Sequence, residues 1–208
     1  MPLDDLFPVT IFKDYLYDVD NEELIKASDS IKELDKTGRA TCFRQYPLGY
    51  TSYYTIDNIH ELAEHNTDPY NKFSLLFDEI IKRSDFYANN VLLENNRVNE
   101  QISKTQNKRK TYIQSSWVNI TEQYHYHEIH NHTGTFISGI YYLNNSSSIT
   151  FYTMNQYTQD TMRYENKEGL LLLWPGWLYH QADQIMKKET KYGVTFNIGC
   201  EGWGNEKI

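Results

Sequence analysis

The chain has 208 residues, a formal net charge of −8 and an aromatic content of 15%. It is long enough to fold around a substantial core, and this aromatic content excludes a disordered chain. No apolar run is long enough to span a membrane, and the first residues lack the features of a signal peptide. Two cysteines lie far apart, at Cys42 and Cys200. We therefore expect a cytoplasmic protein without a disulfide framework, and the negative charge disfavours nucleic acid as a partner.

The N-terminal half has helical patterning with one leading strand. An apolar stretch within residues 6–17 predicts an edge strand. Asp20 and Glu23 form a capping-box pattern, and apolar residues at helical spacing follow, which predicts a helix over 21–36. Residues 39–55 are expected to be a loop with short extended pieces. Two further helices are predicted over 56–65 and 69–93, and a polar loop over 95–110.

From residue 111 onward, short β-like runs separated by polar turns replace the helical pattern. They cover residues 111–120, 124–132, 135–143, 148–153, 169–174 and 191–198. Many short strands at this spacing are typical of an all-β sandwich or jelly roll. We therefore predict a mainly β fold with N-terminal helices, organised as one domain over 1–208. In it, residues 1–110 form a helical support region and residues 111–208 a jelly-roll catalytic core.

Histidines are concentrated where the pattern predicts a strand. His130 and His132 are two residues apart, so in a strand both imidazoles point to the same side and can reach one metal ion. His125 and His127 have the opposite parity and should face away unless a bulge intervenes. His180 follows a very apolar segment and could complete the set from across the barrel. Imidazole ligands suit Fe, Zn, Cu or Ni, although the cluster alone is equally compatible with a chance polar patch.

Several motifs extend the argument beyond the histidines. The chain contains three short motifs, at residues 116–119, 130–132 and 138–142. After them come the segment 169–180, which ends at His180, and a closing strand over 191–197. Together these motifs resemble a family of 2-oxoglutarate- and Fe(II)-dependent oxygenases found in phages and bacteria, with the prolyl hydroxylases as more distant relatives. The resemblance spans nearly the whole chain, and its specific motifs lie within residues 116–197.

The resemblance implies a double-stranded β-helix with a cupin-like core and a site for Fe(II) and 2-oxoglutarate. It assigns iron to His130, His132 and His180, and the distal carboxylate of 2-oxoglutarate to Lys191, helped by Thr195 and Tyr142. The activity it implies is a dioxygenase, most simply a hydroxylase, that releases succinate and CO2. A buried carboxylate needs a cation and hydroxyl donors, which these residue types supply.

Two departures from the family pattern leave alternatives open. His132 stands where better-known relatives have Asp, and Glu128 could instead serve as a substitute carboxylate ligand. Lys191 replaces the commoner Arg. The rival functions are a three-histidine, cupin-like metal dioxygenase that does not use 2-oxoglutarate, and a non-enzymatic jelly-roll binding module. Neither the substrate, a small molecule or a protein side chain, nor the oligomeric state can be read from the sequence. The composition is compatible with a phage, which would place the protein in the host cytoplasm.

Overall fold

The computed structural model describes residues 9–46, 48–92, 108–154 and 159–203. Its centre is a pair of antiparallel sheets that face each other, the arrangement of a double-stranded β-helix or jelly roll. The strands are β1 (Phe12–Tyr15), β2 (Gly49–Thr51), β3 (Thr111–Thr121), β4 (His127–His130), β5 (Ile137–Tyr142), β6 (Ser148–Met154), β7 (Gln159–Glu165), β8 (Leu170–Pro175), β9 (Tyr179–Ala182) and β10 (Lys191–Cys200). The large sheet has the order β1-β8-β5-β10-β3-β2, and the small sheet the order β4-β9-β6-β7.

The helices belong to the N-terminal half, as the sequence predicts. They are α1 (Asn21–Leu34), α2 (Lys36–Gln45), α3 (Ile59–Glu64) and α4 (Ser74–Tyr87), with short 3-10 segments at Ser52–Tyr54 and Tyr70–Phe73 and a π-helical turn at Ala88–Leu92. The N-cap half of the predicted capping box is present, because the Asp20 side chain accepts a hydrogen bond from the backbone N–H of Glu23, while the Glu23 carboxylate pairs with Lys72. No helix in the described parts of the chain is long and apolar enough to cross a membrane.

Strand β8 shows how the core is divided. All six of its residues are buried, although regular alternation would leave every second one on a solvated face. Leu171 and Leu173 pack in the cluster that joins the helices to the large sheet, while Leu172 and Trp174 pack in the cluster between the two sheets. Because both faces of this strand are covered, its sequence reads as a continuous apolar run. Each leucine buried here contributes roughly 1.5–3 kcal/mol.

Two predictions about the elements need correction. Residues 39–55 are not mainly loop, because α2 occupies Lys36–Gln45. This helix lacks a strong apolar stripe, and it begins where the Asp35 side chain accepts a hydrogen bond from the N–H of Gly38. Strands β7 and β9 were also missed, since they are short and polar and gain their pairing from β6 between them. The predicted edge strand corresponds to β1, although residues 1–8 lie outside the described part of the chain. Most of the predicted 95–110 loop, up to residue 107, also lies outside the described part.

Candidate metal centre

Three of the predicted residues meet in space at one end of the barrel. One nitrogen from each of His130, His132 and His180 lies within 4.8 Å of the other two. His130 on β4 is the direct partner of His180 on β9, so the small sheet itself sets this pair side by side. His132 follows β4, where its backbone N–H donates to the carbonyl oxygen of Gly176 at 2.8 Å. Glu128, the alternative ligand, is exposed and does not belong to this group.

Each of the three imidazoles is held by a hydrogen bond from its Nδ1. His130 Nδ1 donates to the carbonyl oxygen of Glu128 at 2.7 Å, and His180 Nδ1 donates to that of Leu178 at 3.0 Å. His132 Nδ1 donates to Asn197 Oδ1 at 2.6 Å. Since an acceptor oxygen fixes the proton on Nδ1, every Nε2 keeps a free lone pair. Outer partners of this kind orient the histidine ligands of metal sites.

The electrostatic setting favours the neutral form of these rings. Burial lowers the pKa of His130, of His132 and, most strongly, of His180, with the neighbouring imidazoles lowering that of His180 further. Neutral imidazole is the form that binds a metal ion. All three acceptors of the Nδ1 protons are uncharged oxygens, and no carboxylate of the described residues joins the three histidines. A divalent cation bound here would keep its full charge until an anionic ligand joined it.

A β-bulge changes the position of His127. Between His127 and His130 the β4 strand has one residue more than the β9 strand opposite it, where the partners are Ala182 and His180. The bulge overrides the parity argument and brings His127 to the cavity, with its ring stacked on that of His130 at a centroid distance of 4.1 Å. Burial, and after it the neighbouring His130, lower the pKa of His127 to about 3.

The other histidines have structural surroundings. His125 is buried with its ring against Tyr46, at a centroid distance of 4.2 Å. His65 is exposed, as expected of a surface histidine. His60 is not a surface histidine, because it is half-buried and its Nδ1 lies 2.9 Å from Ser116 Oγ.

The predicted oxoacid residues line the same cavity as the histidines, which has a volume of about 420 Å³. Alternate residues of β10 line it, namely Asn197, Thr195, Gly193 and Lys191. Register places Ile140 of β5 beside Thr195 and Tyr142 beside Gly193. Lys191 is three inward positions from Asn197 along β10, and its charge acts on His127, whose ring stacks on that of His130.

Lys191 is unusual because it is charged and only 5% exposed. Burial lowers the pKa of its ammonium to about 8, while the carboxylate of Asp183 acts in the opposite direction. Within the described part of the protein, no hydrogen bond or ion pair joins this ammonium to a side chain. The hydroxyl of Thr195 accepts a hydrogen bond from Asn119 Nδ2 at 2.8 Å, so its own proton is available to a ligand. Tyr142 is 1% exposed, and burial raises its pKa.

Trp174 provides a further polar atom that lacks a partner. Its indole N–H is buried and finds no acceptor among the described residues, although Trp174 lines the cavity and packs edge-on against His180 at 4.8 Å. A buried donor without a partner is destabilising by roughly 1–3 kcal/mol. A ligand with oxygen acceptors in this part of the cavity would remove that penalty. This role could not be predicted from the sequence, because a tryptophan at the end of an apolar strand is typical of an ordinary core residue.

Comparisons with known proteins give distant structural likenesses only. No protein-family model matches the chain, and no curated protein does. Among solved structures, the chain is similar to a 2OG-Fe(II) oxygenase family oxidoreductase from Burkholderia pseudomallei, with 7% identity, a TM-score of 0.39, and coverage of 47% of this chain and 48% of that one. A Pseudomonas putida prolyl-4-hydroxylase aligns with 10% identity, a TM-score of 0.35, and coverage of 42% and 48%.

A third likeness is to a Trichoplax adhaerens prolyl hydroxylase bound to a hypoxia inducible factor peptide fragment. It has 14% identity, a TM-score of 0.37, and coverage of 49% of this chain and 52% of that one. The aligned part is thus about half the length of each of these structures. At such TM-scores the likenesses carry no argument about chemistry, so function is argued from the site itself.

Proposed function

We propose that this protein is an Fe(II)- and 2-oxoglutarate-dependent dioxygenase that hydroxylates its substrate. The observation that carries the proposal is the pairing of two features in one cavity. At one end stand three imidazoles with free Nε2 atoms. Further in stands Lys191, a buried cation without a bonded partner among the described residues. A ligand with an anionic group at each end, such as a dicarboxylate, would bind both the metal held by the imidazoles and the ammonium of Lys191.

The charges of the cavity support this pairing. His130, His132 and His180 would hold Fe(II) with neutral donors. The metal would therefore keep its full positive charge and bind an anionic ligand strongly. Lys191 would bind the distal carboxylate with a point charge, and Thr195 would donate its hydroxyl proton to it. Tyr142 is placed to do the same from β5, because register sets it beside the β10 residue between these two. Buried charges are tolerated when they are paired, and 2-oxoglutarate would supply the missing partner.

When bound, Fe(II) and 2-oxoglutarate supply oxidising chemistry in which dioxygen is consumed, the oxoacid becomes succinate and CO2, and a C–H bond of the substrate becomes C–OH. The protein's own contribution is orientation and exclusion of water. The hydrogen bonds from Nδ1 of each histidine keep the ligand nitrogens aimed at one point. Aliphatic and aromatic side chains, among them Ile140 and Trp174, surround the oxoacid end of the cavity. Polar interactions are stronger in such a dry setting.

The test is an anaerobic titration of metal-free protein with Fe(II) and 2-oxoglutarate. We expect a visible metal-to-ligand charge-transfer band that requires both components and is lost in Lys191→Ala. The matched control is Lys188→Ala, which removes an exposed lysine three residues away and should leave the band intact. His180→Ala should abolish both metal retention and 2-oxoglutarate turnover.

Other outcomes would favour the rivals. Bound iron without a band, together with oxygen consumption that ignores added 2-oxoglutarate, would identify a three-histidine dioxygenase. Failure to retain stoichiometric metal would point to a jelly-roll binding module. The assignment of His130, His132, His180, Tyr142, Lys191 and Thr195 to these roles stays a prediction until then, as do the single-domain organisation, the cytoplasmic location and the absence of nucleic acid among the partners.

A further inference from the structure

The mouth of the cavity has a wall of aromatic side chains that the metal and the oxoacid do not use. It consists of Tyr46, Tyr53, Tyr54 and Trp117. The wall begins next to the metal centre, because the indole of Trp117 stacks on the ring of His132 at 6.1 Å with an interplanar angle of 23°. It continues outward through Tyr53, whose ring meets Trp117 edge-on at 4.9 Å. A group resting on this wall would therefore lie beside the reactive end of the cavity.

The wall also offers polar groups that are not engaged. The hydroxyls of Tyr46, Tyr53 and Tyr54 make no hydrogen bond with any side chain or backbone group in the described parts of the chain. Burial raises the pKa of Tyr46 and of Tyr54, so both phenols stay neutral donors at physiological pH. Three neutral O–H donors beside aromatic faces favour a ligand with both ring faces and oxygen acceptors.

Hydrogen bonds to neighbouring segments hold the residues around Tyr53 and Tyr54 in place. Asp35, a buried carboxylate between α1 and α2, accepts hydrogen bonds from Tyr50 Oη at 2.8 Å and from Thr55 Oγ1 at 2.5 Å, one on each side of the two tyrosines. Ser52 adds a further anchor, because its Oγ accepts from the backbone N–H of Val118 on β3. The wall is thus preorganised, which reduces the entropy lost when a ligand binds.

The aromatic wall carries no formal charge of its own. Among the described residues that line the cavity, Lys191 alone carries a formal charge, and it is buried. A phosphate, a carboxylate or an ammonium on the bound part of a substrate would be desolvated at the mouth without a partner, which is unfavourable. The lining therefore discriminates against charged ligands of the same shape.

We propose that the substrate of this site binds through an uncharged ring with oxygen acceptors, such as a neutral sugar or a nucleoside, placed against the wall of Tyr46, Tyr53, Tyr54 and Trp117. The inference rests on the proposed function for the position of the reacting metal. It adds the substrate class, which follows from the aromatic faces, the free phenol hydroxyls and the lack of charged side chains on the wall among the described residues.

The test is calorimetric titration, under anaerobic conditions, of protein loaded with Fe(II) and 2-oxoglutarate. The probes are methyl glucoside and thymidine, each compared with its charged counterpart, glucose phosphate or thymidine monophosphate. We expect one neutral probe to bind and its phosphorylated counterpart to bind at least about tenfold more weakly. Tyr53→Ala should weaken the binding of the neutral probe by about tenfold, because a ring contact is lost. Tyr53→Phe keeps the ring, so it should lose only the contribution of the hydroxyl to the binding affinity. Tyr17→Ala, which removes an exposed tyrosine distant from the cavity, should have no effect.

The outcomes separate this proposal from the function on which it rests. Tighter or equal binding of a phosphorylated probe, or no binding of either neutral probe, overturns the substrate class even when the charge-transfer band forms normally. Binding that is unchanged in both Tyr53 variants overturns the role of the wall. If no band forms, the oxygenase function fails, and the same titration on metal-loaded protein still decides whether the wall binds neutral rings.

Discussion

Replacing Lys191 with methionine should make the protein more stable while removing its affinity for 2-oxoglutarate. The pKa of this lysine falls from the ordinary 10.5 to about 8, mainly because of burial. At about 1.4 kcal/mol per pH unit, this corresponds to a penalty of roughly 3 kcal/mol for holding the charge inside the folded protein. Methionine has a similar length and no charge, so we expect Lys191→Met to raise the free energy of unfolding by about 1–3 kcal/mol at pH 7.

The sign of the effect also fixes its pH dependence. Below pH 8 the lysine is protonated in both the folded and the unfolded protein, so the whole penalty is present. Between pH 8 and 10.5 the folded protein releases this proton before the unfolded protein does, and the penalty decreases. The stability advantage of Lys191→Met should therefore shrink as the pH rises through this interval. Other groups titrate in the same range, but they do so in both proteins and cancel in the difference.

Urea denaturation of both proteins at pH 7 and at pH 10, without ligands, measures this difference. Lys188→Met is the control, and as an exposed substitution it should change stability by no more than about 0.5 kcal/mol. A methionine variant that is less stable than the native protein at pH 7 would refute the reasoning, as would a stability difference that is independent of pH. Either result would mean that Lys191 has a bonded partner in the folded protein.

Three other predictions concern the same cavity. Asn197→Ala removes the acceptor that orients His132 and should weaken Fe(II) or Zn(II) affinity by about 10–100-fold in competition with a chelator. In Gly176→Ala the new Cβ would lie 2.2 Å from the carbonyl oxygen of Thr135 and 2.9 Å from that of His132, so the backbone must shift, and metal stoichiometry should fall on elemental analysis. The affinity for 2-oxoglutarate should decrease above pH 8 by about tenfold per pH unit as Lys191 loses its proton, whereas Lys191→Arg should remove this dependence when the charge-transfer titration is repeated across pH.

Local chemistry predicted several features of this fold correctly. Asp20 and Glu23 predicted where the first helix begins, and α1 starts directly after Asp20. His130 and His132 reach one site as their spacing of two residues predicts, although His132 follows β4 and does not lie in it. These inferences worked because each depends on neighbours in the sequence or on a spacing of two residues.

The features that escaped prediction depend on contacts between distant segments. Helix α2 has weak amphipathicity and gains its start from Asp35, whose carboxylate also binds Tyr50 and Thr55. The position of His127 depends on an extra residue in β4 relative to β9, and alternation along one strand cannot reveal the register of its partner. The polar strands β7 and β9 both pair with β6, and this pairing makes them strands. Their own residues therefore do not predict a strand.

The neutral donor set of the metal centre has a thermodynamic consequence. With a divalent ion bound and no carboxylate among the histidines, the cavity holds positive charge at the metal and at Lys191, and no described side chain in contact with either offsets it. On the proposed function, 2-oxoglutarate relieves both at once, so it and the metal bind cooperatively. Cooperativity between two ligands is reciprocal, and the oxoacid must tighten metal binding by the same factor that the metal tightens the oxoacid. Metal occupancy would then follow the supply of oxoacid, and protein purified without it would lose metal more readily than a site that includes a carboxylate ligand.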